Sequence, residues 1–277
     1  MCRWLVYSGS PILLSELLYR PAHSLIDQSR HARLGVETTN GDGFGVAWYD
    51  EQIPEPAMFR STAPAWSDRN LRELADHIRS GLFFAHIRAS TGSPVQQSNC
   101  HPFRYDRWLW MHNGSIASFP KVKRDLMLAV DPALFPAIQG STDSEVMFYI
   151  ALTFGLRDDP AAAVERMIGL VESTVRANGI ANPIQMTVAT SDGDRVWAFR
   201  YSSEGRSRSL FYSTDVQTLR EIHPEIPTLR EVSDESRIIV SEPLIDLAGT
   251  WNKVPESSYG VVQQGQDKIH RLRPRPA

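Results

Sequence analysis

The nearly continuous apolar run Leu82-Phe83-Phe84-Ala85, extended by Ile87, constrains this chain more than any other stretch. A strand of that composition has no face suited to water, so both faces must be covered. Trp108 to Met111 reads the same way. Further strand signals lie at 2–8, at Val46-Ala47-Trp48-Tyr49 with a partner at 57–63, and at 209–213, 237–241 and 258–263. Met186 to Thr190 and Arg195 to Tyr201 flank Ser191-Asp192-Gly193-Asp194, which reads as a hairpin turning at Asp-Gly. Between these groups the pattern turns helical from about 121 to 178. There Val146, Ile150 and Phe154 recur at spacing four, and 160–177 forms a second candidate helix. No internal repeat or linker divides the chain. It reads as one α+β domain, strand-rich at both ends with helices between.

Smaller features fill the gaps. A leucine-rich segment from Leu13 to Leu18 stops at Pro21, and His23 to Asn40 reads as a long polar loop. Loops of that length inside compact domains tend to be functional. Ser67 is expected to cap a helix whose Leu71, Leu74, Ala75 and Ile78 share one face. The basic cluster Arg271, Arg273 and Arg275 stands among prolines, so 263–277 is expected to be a flexible tail.

Composition excludes several function classes. A net charge of -3 argues against a general nucleic-acid binder, and no run of 18 apolar residues exists to span a membrane. Two cysteines cannot build a disulfide framework for 277 residues, and no secretory signal is visible. A reduced, cytoplasmic compartment is the expectation. It suits an accessible thiol, which oxidation would silence.

Chemistry collects first at the beginning, Met1-Cys2-Arg3-Trp4. A small residue at position 2 permits removal of Met1, which would leave a thiol and a free α-amine on one α-carbon. The thiol alone, with a reference pKa of about 8.5, is a modest nucleophile near neutrality. The α-amine, at about 7.7 to 8.0, is a base poised near working pH. One terminal residue can therefore hold nucleophile and base together. Against this, cysteine at position 2 is in most proteins merely an early residue.

Other segments break their strand patterns with polar groups. Asn40-Gly41-Asp42-Gly43-Phe44-Gly45 precedes a strand, so it is a poor phosphate fingerprint and reads as a turn or a place of close backbone approach. Arg88, leaving a buried strand in Ala85-His86-Ile87-Arg88-Ala89-Ser90-Thr91, needs either an internal acid or a bound carboxylate. Asn113-Gly114 is either a turn or a pair of donors for an oxyanion. In Gly140-Ser141-Thr142-Asp143-Ser144-Glu145, Thr142 and Glu145 fit a capping box, and Asp143 suits the helix dipole or a substrate ammonium. Asn99-Cys100-His101-Pro102 invites a metal reading, but no matching ligand pair stands elsewhere, so no metal and no cofactor is expected.

Taken in order, Met1-Cys2-Arg3, Asn40 to Gly45, Ala85 to Thr91, His112-Asn113-Gly114 and Ser141 to Glu145 resemble the class II glutamine amidotransferases. Ser241-Glu242-Pro243-Leu244 and Trp251 extend the resemblance, which covers roughly residues 2 to 262. Within that family, Arg20 to Ser24, Asn99 to Phe103 and Gln139 to Asp143 are most similar to the amidotransferase subunit of a fungal glutathione-degradation complex. The ergothioneine-pathway amidohydrolases are more distant. The resemblance implies a four-layer αββα sandwich of the N-terminal nucleophile hydrolase type. It implies Cys2 as nucleophile with its freed α-amine as base, and Asn113 and Gly114 as the oxyanion hole. Arg88, assisted by Thr91, would bind the α-carboxylate of glutamine or a γ-glutamyl group, and Asp143 its α-ammonium. His86 and His112 are expected to serve strand packing.

Three functions remain open on the residues alone. One is a cysteine amidohydrolase acting on a γ-glutamyl small molecule. Another is a subunit that supplies ammonia to, or hydrolyses peptide within, a partner complex. A third is a binding protein without turnover, which has no need of a terminal thiol.

Overall fold

The computed structural model describes residues 2–34, 38–90, 92–230 and 232–276. In chain order its main elements are β1 (Arg3–Leu13), α1 (Ser15–Leu18), α2 (Leu25–His31), β2 (Phe44–Asp50), β3 (Ile53–Ser61), α3 (Arg69–His77) and β4 (Arg79–Ile87). There follow β5 (Phe103–Tyr105), β6 (Trp108–Ile116), α4 (Phe119–Leu128), α5 (Asp143–Thr153) and α6 (Pro160–Ala177). The chain closes with β7 (Ile184–Ser191), β8 (Val196–Ser202), β9 (Phe211–Ser213), α7 (Val216–Ile222), β10 (Arg237–Val240), β11 (Trp251–Lys253), β12 (Ser258–Gln263) and β13 (Gln266–Arg271). The strands make two antiparallel sheets, ordered β11-β9-β10-β1-β4-β2-β3 and β13-β12-β8-β7-β6-β5.

Strand alternation explains the layering. On β1, Trp4 and Val6 join a core with Leu82, Phe84, Leu109, Met111 and Ala198 that lies between the sheets. Leu5 and Tyr7 point the other way, into a second core with Leu17, Leu25, Leu71 and Ala75 of the first three helices. On β6, Leu109 and Met111 enter the middle core, whereas Trp108 and Trp110 pack with Val122, Phe148 and Val164 of α4 to α6. Three apolar layers therefore separate four layers of backbone, helix–sheet–sheet–helix. The doubly covered strands expected at 82–87 and 108–111 are β4 and β6.

Three expectations change. Residues 23–40 are not wholly loop: α2 occupies 25–31, and the Ser24 hydroxyl caps it by accepting the Asp27 N–H at 3.2 Å. The cap of α3 is Asp68 rather than Ser67, because its carboxylate accepts the Leu71 N–H at 2.8 Å. The basic tail is docked. Residues 266–271 pair with β12, and Glu165 of α6 accepts the Arg273 N–H at 2.8 Å and meets Arg275 Nε at 2.6 Å. Pairing of β13 and an acid on α6 give the tail partners that composition alone does not reveal.

Candidate active site

The inner faces of three strands run from apolar to polar at one end of the sandwich. Cys2 continues the parity of Trp4 and Val6, Arg88 that of Leu82, Phe84 and His86, and Asn113 that of Leu109 and Met111. The first two belong to one sheet and Asn113 to the other, so sheet packing brings them together. Cys2 Sγ lies 3.4 Å from the Ala89 N–H and 3.5 Å from the Ala89 carbonyl, one residue beyond Arg88. Asn113 Nδ2 donates to the Cys2 carbonyl at 2.9 Å, and Arg3 Nη1 donates to the same oxygen at 2.9 Å. Burial pushes the Cys2 thiol up, against the opposing pull of the Ala89 hydrogen bond and of the Arg88 and Arg3 guanidiniums. Gly114 follows Asn113 on β6, opposite Met186.

Arg88 is buried, and its guanidinium is wrapped by neutral acceptors. Nη2 meets Ser90 Oγ at 3.1 Å, Ser93 Oγ at 2.7 Å and the Pro94 carbonyl at 3.1 Å, and Nη1 meets the Asp42 carbonyl at 3.3 Å. Asp143, half-buried at the first turn of α5, accepts the Ile116 N–H at 2.8 Å and the Ser144 N–H at 2.8 Å. Among the described residues neither side chain has an ion-pair partner. Among those residues the internal salt bridge that sequence allowed for Arg88 is absent, and one cation and one anion stand without a described counter-ion. Thr91 and Met1, also named from sequence, lie outside the described residues.

The capping box is realised only in half. Thr142 Oγ1 accepts the Glu145 N–H at 3.2 Å, but the Glu145 carboxylate instead holds the N–H groups of Gln139 at 2.9 Å and Gly140 at 2.7 Å. The glycine-rich run before β2 serves close approach within the chain. A Cβ on Gly45 would stand 2.1 Å from the His101 carbonyl oxygen. The segment considered for metal binding is spent on packing. His101 stacks on His86 at 4.2 Å, Cys100 is buried, and no described group of three or more His, Cys, Asp or Glu is arranged around a common centre.

One network escaped the sequence reading. Glu242, fully buried, accepts from Arg3 Nε at 2.7 Å, from the N–H groups of Arg33 and Leu34 at 2.8 and 2.9 Å, and meets His23 Nε2 at 2.5 Å. Burial raises this carboxyl, but those hydrogen bonds and Arg3 outweigh it and hold the group below its ordinary value. The Leu34 carbonyl in turn accepts from Arg3. Glu242 thus ties the segment at 33–34 to the residue beside Cys2. A cleft of 180 Å³ opens there, lined by Arg3, Leu34, Asn113, Gln185 and Arg208 among others. A larger hollow of 660 Å³ near Tyr212 and Lys268 contains none of the candidate residues. The available signal for Glu242 was Arg3 itself, an arginine within an apolar strand that demands a buried acid.

Behind the site three histidines are buried: His86, His101 and His112. His86 Nε2 meets the His112 carbonyl at 3.3 Å, and His112 Nδ1 meets Ser144 Oγ at 2.7 Å. Burial lowers all three, His86 to about 3. In the unfolded chain a histidine regains a pKa of about 6.5 and binds a proton the folded one refuses. Stability is therefore expected to fall as pH drops below about 6.5, and for His86 by about 1.4 kcal/mol per unit until the pH nears its folded pKa. His86 alone should cost about 2 kcal/mol between pH 7 and pH 5. Denaturant unfolding of wild type and His86→Asn at the two pH values measures this, and equal acid losses in both proteins would disprove it.

Comparisons with known proteins agree with the fold. Residues 23–276 match the family model described as class-II glutamine amidotransferases. The chain is 35% identical over 301 residues to the probable glutamine amidotransferase DUG3 of Saccharomyces cerevisiae, covering 98% of this chain and 84% of that one. It is 28% identical over 201 residues to the gamma-glutamyl-hercynylcysteine sulfoxide hydrolase of Mycolicibacterium smegmatis, covering 70% and 80%. A solved glutamine aminotransferase class-II domain protein from Silicibacter pomeroyi superposes with a TM-score of 0.75 at 32% identity, covering 99% of this chain and 100% of that one.

Proposed function

The chain belongs to the class II glutamine amidotransferases, an enzyme of N-terminal nucleophile hydrolase fold acting on carbon–nitrogen amide bonds, and from that premise we propose its chemistry. It is a cysteine amidohydrolase that cleaves the γ-amide of glutamine or of a γ-glutamyl compound through a γ-glutamyl thioester on Cys2. Removal of Met1 frees the Cys2 α-amine. Because burial raises the thiol, little thiolate stands ready, and the amine must take the proton as sulfur attacks the γ-carbonyl carbon. Asn113 Nδ2 and the Gly114 N–H stabilise the resulting oxyanion. Collapse breaks the carbon–nitrogen bond, the amine returns its proton to the leaving nitrogen, and a thioester remains. Water then attacks that carbonyl, again losing its proton to the amine, and glutamate leaves as the thiol is restored.

The observation that carries this reading is a pair of charges without counter-ions among the described residues, Arg88 and Asp143, on segments flanking Cys2 and Asn113. A cation and an anion held by neutral groups suit the α-carboxylate and α-ammonium of an amino acid. Purified protein is to be offered glutamine, glutathione and other γ-glutamyl amides, with liberated glutamate as readout. Arg88→Ala and Asp143→Ala should each stay folded and lose about 2 to 5 kcal/mol of transition-state binding, as truncation of one member of a desolvated charge pair does. Acyl amides lacking the α-amino acid should be ignored, since a site charge would be left unpaired. Their hydrolysis at the rate of glutamine would refute the assignment.

A further inference from the structure

Asn99 is fully buried, and its amide bonds to both segments that carry the two charges. Nδ2 donates to the Pro94 carbonyl at 2.9 Å, the same oxygen that accepts from Arg88 Nη2 at 3.1 Å. Oδ1 accepts the Ser141 N–H at 2.8 Å, and Nδ2 also reaches Ser141 Oγ at 3.1 Å. Ser141 immediately precedes Thr142, the cap of α5, and Asp143 is that helix's first residue. A continuous chain of short contacts therefore runs from the Arg88 guanidinium through Pro94 and Asn99 to the start of α5. Its far end is anchored too, because the buried Glu145 carboxylate holds the Gln139 and Gly140 N–H groups from within the helix. No side chain fits at Gly140: a Cβ there would stand 2.6 Å from Asn99 Oδ1, 2.8 Å from Glu145 Oε2 and 2.8 Å from the Ser98 carbonyl oxygen.

This arrangement asks one side chain both to donate and to accept in a single plane, which a primary amide does and a carboxylate does not. We infer that Asn99 is a positioning residue that sets the spacing between Arg88 and Asp143, and so makes the pocket selective for a complete α-amino-acid head group. The inference rests on the head-group roles proposed above for those two residues. Asn99 touches neither the reacting thiol nor Asn113; it acts by fixing where the two charges stand. A ligand carrying both head-group charges gains from their spacing, whereas a ligand carrying one does not.

The test is steady-state ammonia release by processed wild type, Asn99→Asp, Asn99→Ala, Gly140→Ala, Arg88→Ala and Asp143→Ala. The substrate is L-glutamine, and D-glutamine and the two analogues lacking the α-amine or the α-carboxylate are each tested for turnover and as competing inhibitors. Asn99→Asp keeps the side chain's shape and the Ser141 bond while losing the donor to Pro94. It is expected to raise KM for L-glutamine by about 10- to 100-fold while kcat at saturation holds, the pattern of lost uniform binding. The weak inhibition of L-glutamine turnover by the single-charge analogues should stay close to wild type, so discrimination between them and L-glutamine collapses. Gly140→Ala, which presses on Asn99 from the far side, should show the same pattern even if an Asn99 variant fails to fold. If kcat and kcat/KM fall together for every substrate in step with Tm, Asn99 merely closes a loop and the inference fails. If Arg88→Ala and Asp143→Ala lose affinity for L-glutamine while Asn99→Asp and Gly140→Ala keep it, only the positioning role is overturned. If Arg88→Ala and Asp143→Ala also keep it, the head-group reading itself falls.

Discussion

Cys2→Ala is expected to abolish glutamate release while leaving the folded protein intact. The loss should be on the order of 10⁶ in kcat, as when the nucleophile of a covalent hydrolase is removed. The fold has little stake in the sulfur. Among the described residues its hydrogen bonds are the long ones to Ala89 at 3.4 and 3.5 Å, and Cys2 belongs to none of the three apolar cores. What anchors residue 2 is its carbonyl, held by Arg3 and Asn113, and alanine keeps that carbonyl. The other cysteine cannot stand in. Cys100 is fully buried against the Ser61 and Gln96 carbonyls, and burial pushes its thiol up. Cys100→Ala should accordingly keep turnover. Protein that retains Met1 should be as inactive as Cys2→Ala, since the Cys2 nitrogen is then an amide and cannot accept a proton. Intact-mass spectrometry paired with a glutamate assay decides the matter, and full activity in Cys2→Ala or in Met1-bearing protein would end the terminal-nucleophile proposal.

The layered fold was legible because its signal is local and redundant. Leu82 to Ile87 and Trp108 to Met111 are apolar on both faces, and such strands require cover on both sides. The hairpin at Asp192-Gly193 likewise announces itself, with Gly193 at a φ of 91°. Less legible were segments whose order comes from distant partners. Helix α2 carries few apolar residues, and its place depends on Gln28, whose amide donates to the His23 and Glu242 carbonyls at 3.0 and 3.2 Å. The tail's partner Glu165 lies more than a hundred residues upstream. No windowed reading of composition could supply either contact.

The candidate site divides along the same line. Cys2, Arg88 and Asn113 stand out because each breaks an apolar run, the first two just beyond the ends of β1 and β4 and Asn113 within β6. Asn99 reads from sequence as a neighbour of possible metal ligands and as part of the family resemblance, since nothing in its own segment tells that its amide meets Pro94 on one side and Ser141 on the other. Glu242 stands out in sequence through the resemblance alone, although Arg3 demands such a partner. Chemistry at a strand end can thus be read locally, whereas the groups that hold it in place become visible only when the sheets are assembled.

Asn113→Ala is expected to cut kcat by about 10² to 10³, the usual effect of losing one oxyanion donor. Nδ2 carries two hydrogens. One is committed to the Cys2 carbonyl at 2.9 Å, which leaves the second for an oxyanion forming beside the sulfur. Removing the side chain does not unseat the nucleophile, because Arg3 Nη1 still holds that carbonyl at 2.9 Å and is itself fixed by Glu242 at 2.7 Å. Nor does it touch Arg88, which bonds to Ser93, or Asp143, which accepts the backbone N–H of Ile116 three residues further along β6, a group that alanine at 113 leaves in place. Ground-state binding should therefore change far less than turnover, since the negative charge exists only on the way to and from the tetrahedral intermediate. Equal loss in kcat and kcat/KM for glutamine is the signature of an interaction made only in the transition state. Asn113→Asp sharpens the test by keeping the shape while replacing the donor with a negative charge, and it should be at least as impaired as alanine. If KM alone rose in Asn113→Ala and turnover at saturation held, Asn113 would be a strand-end spacer for Cys2, and the oxyanion would have to be held by some other donor.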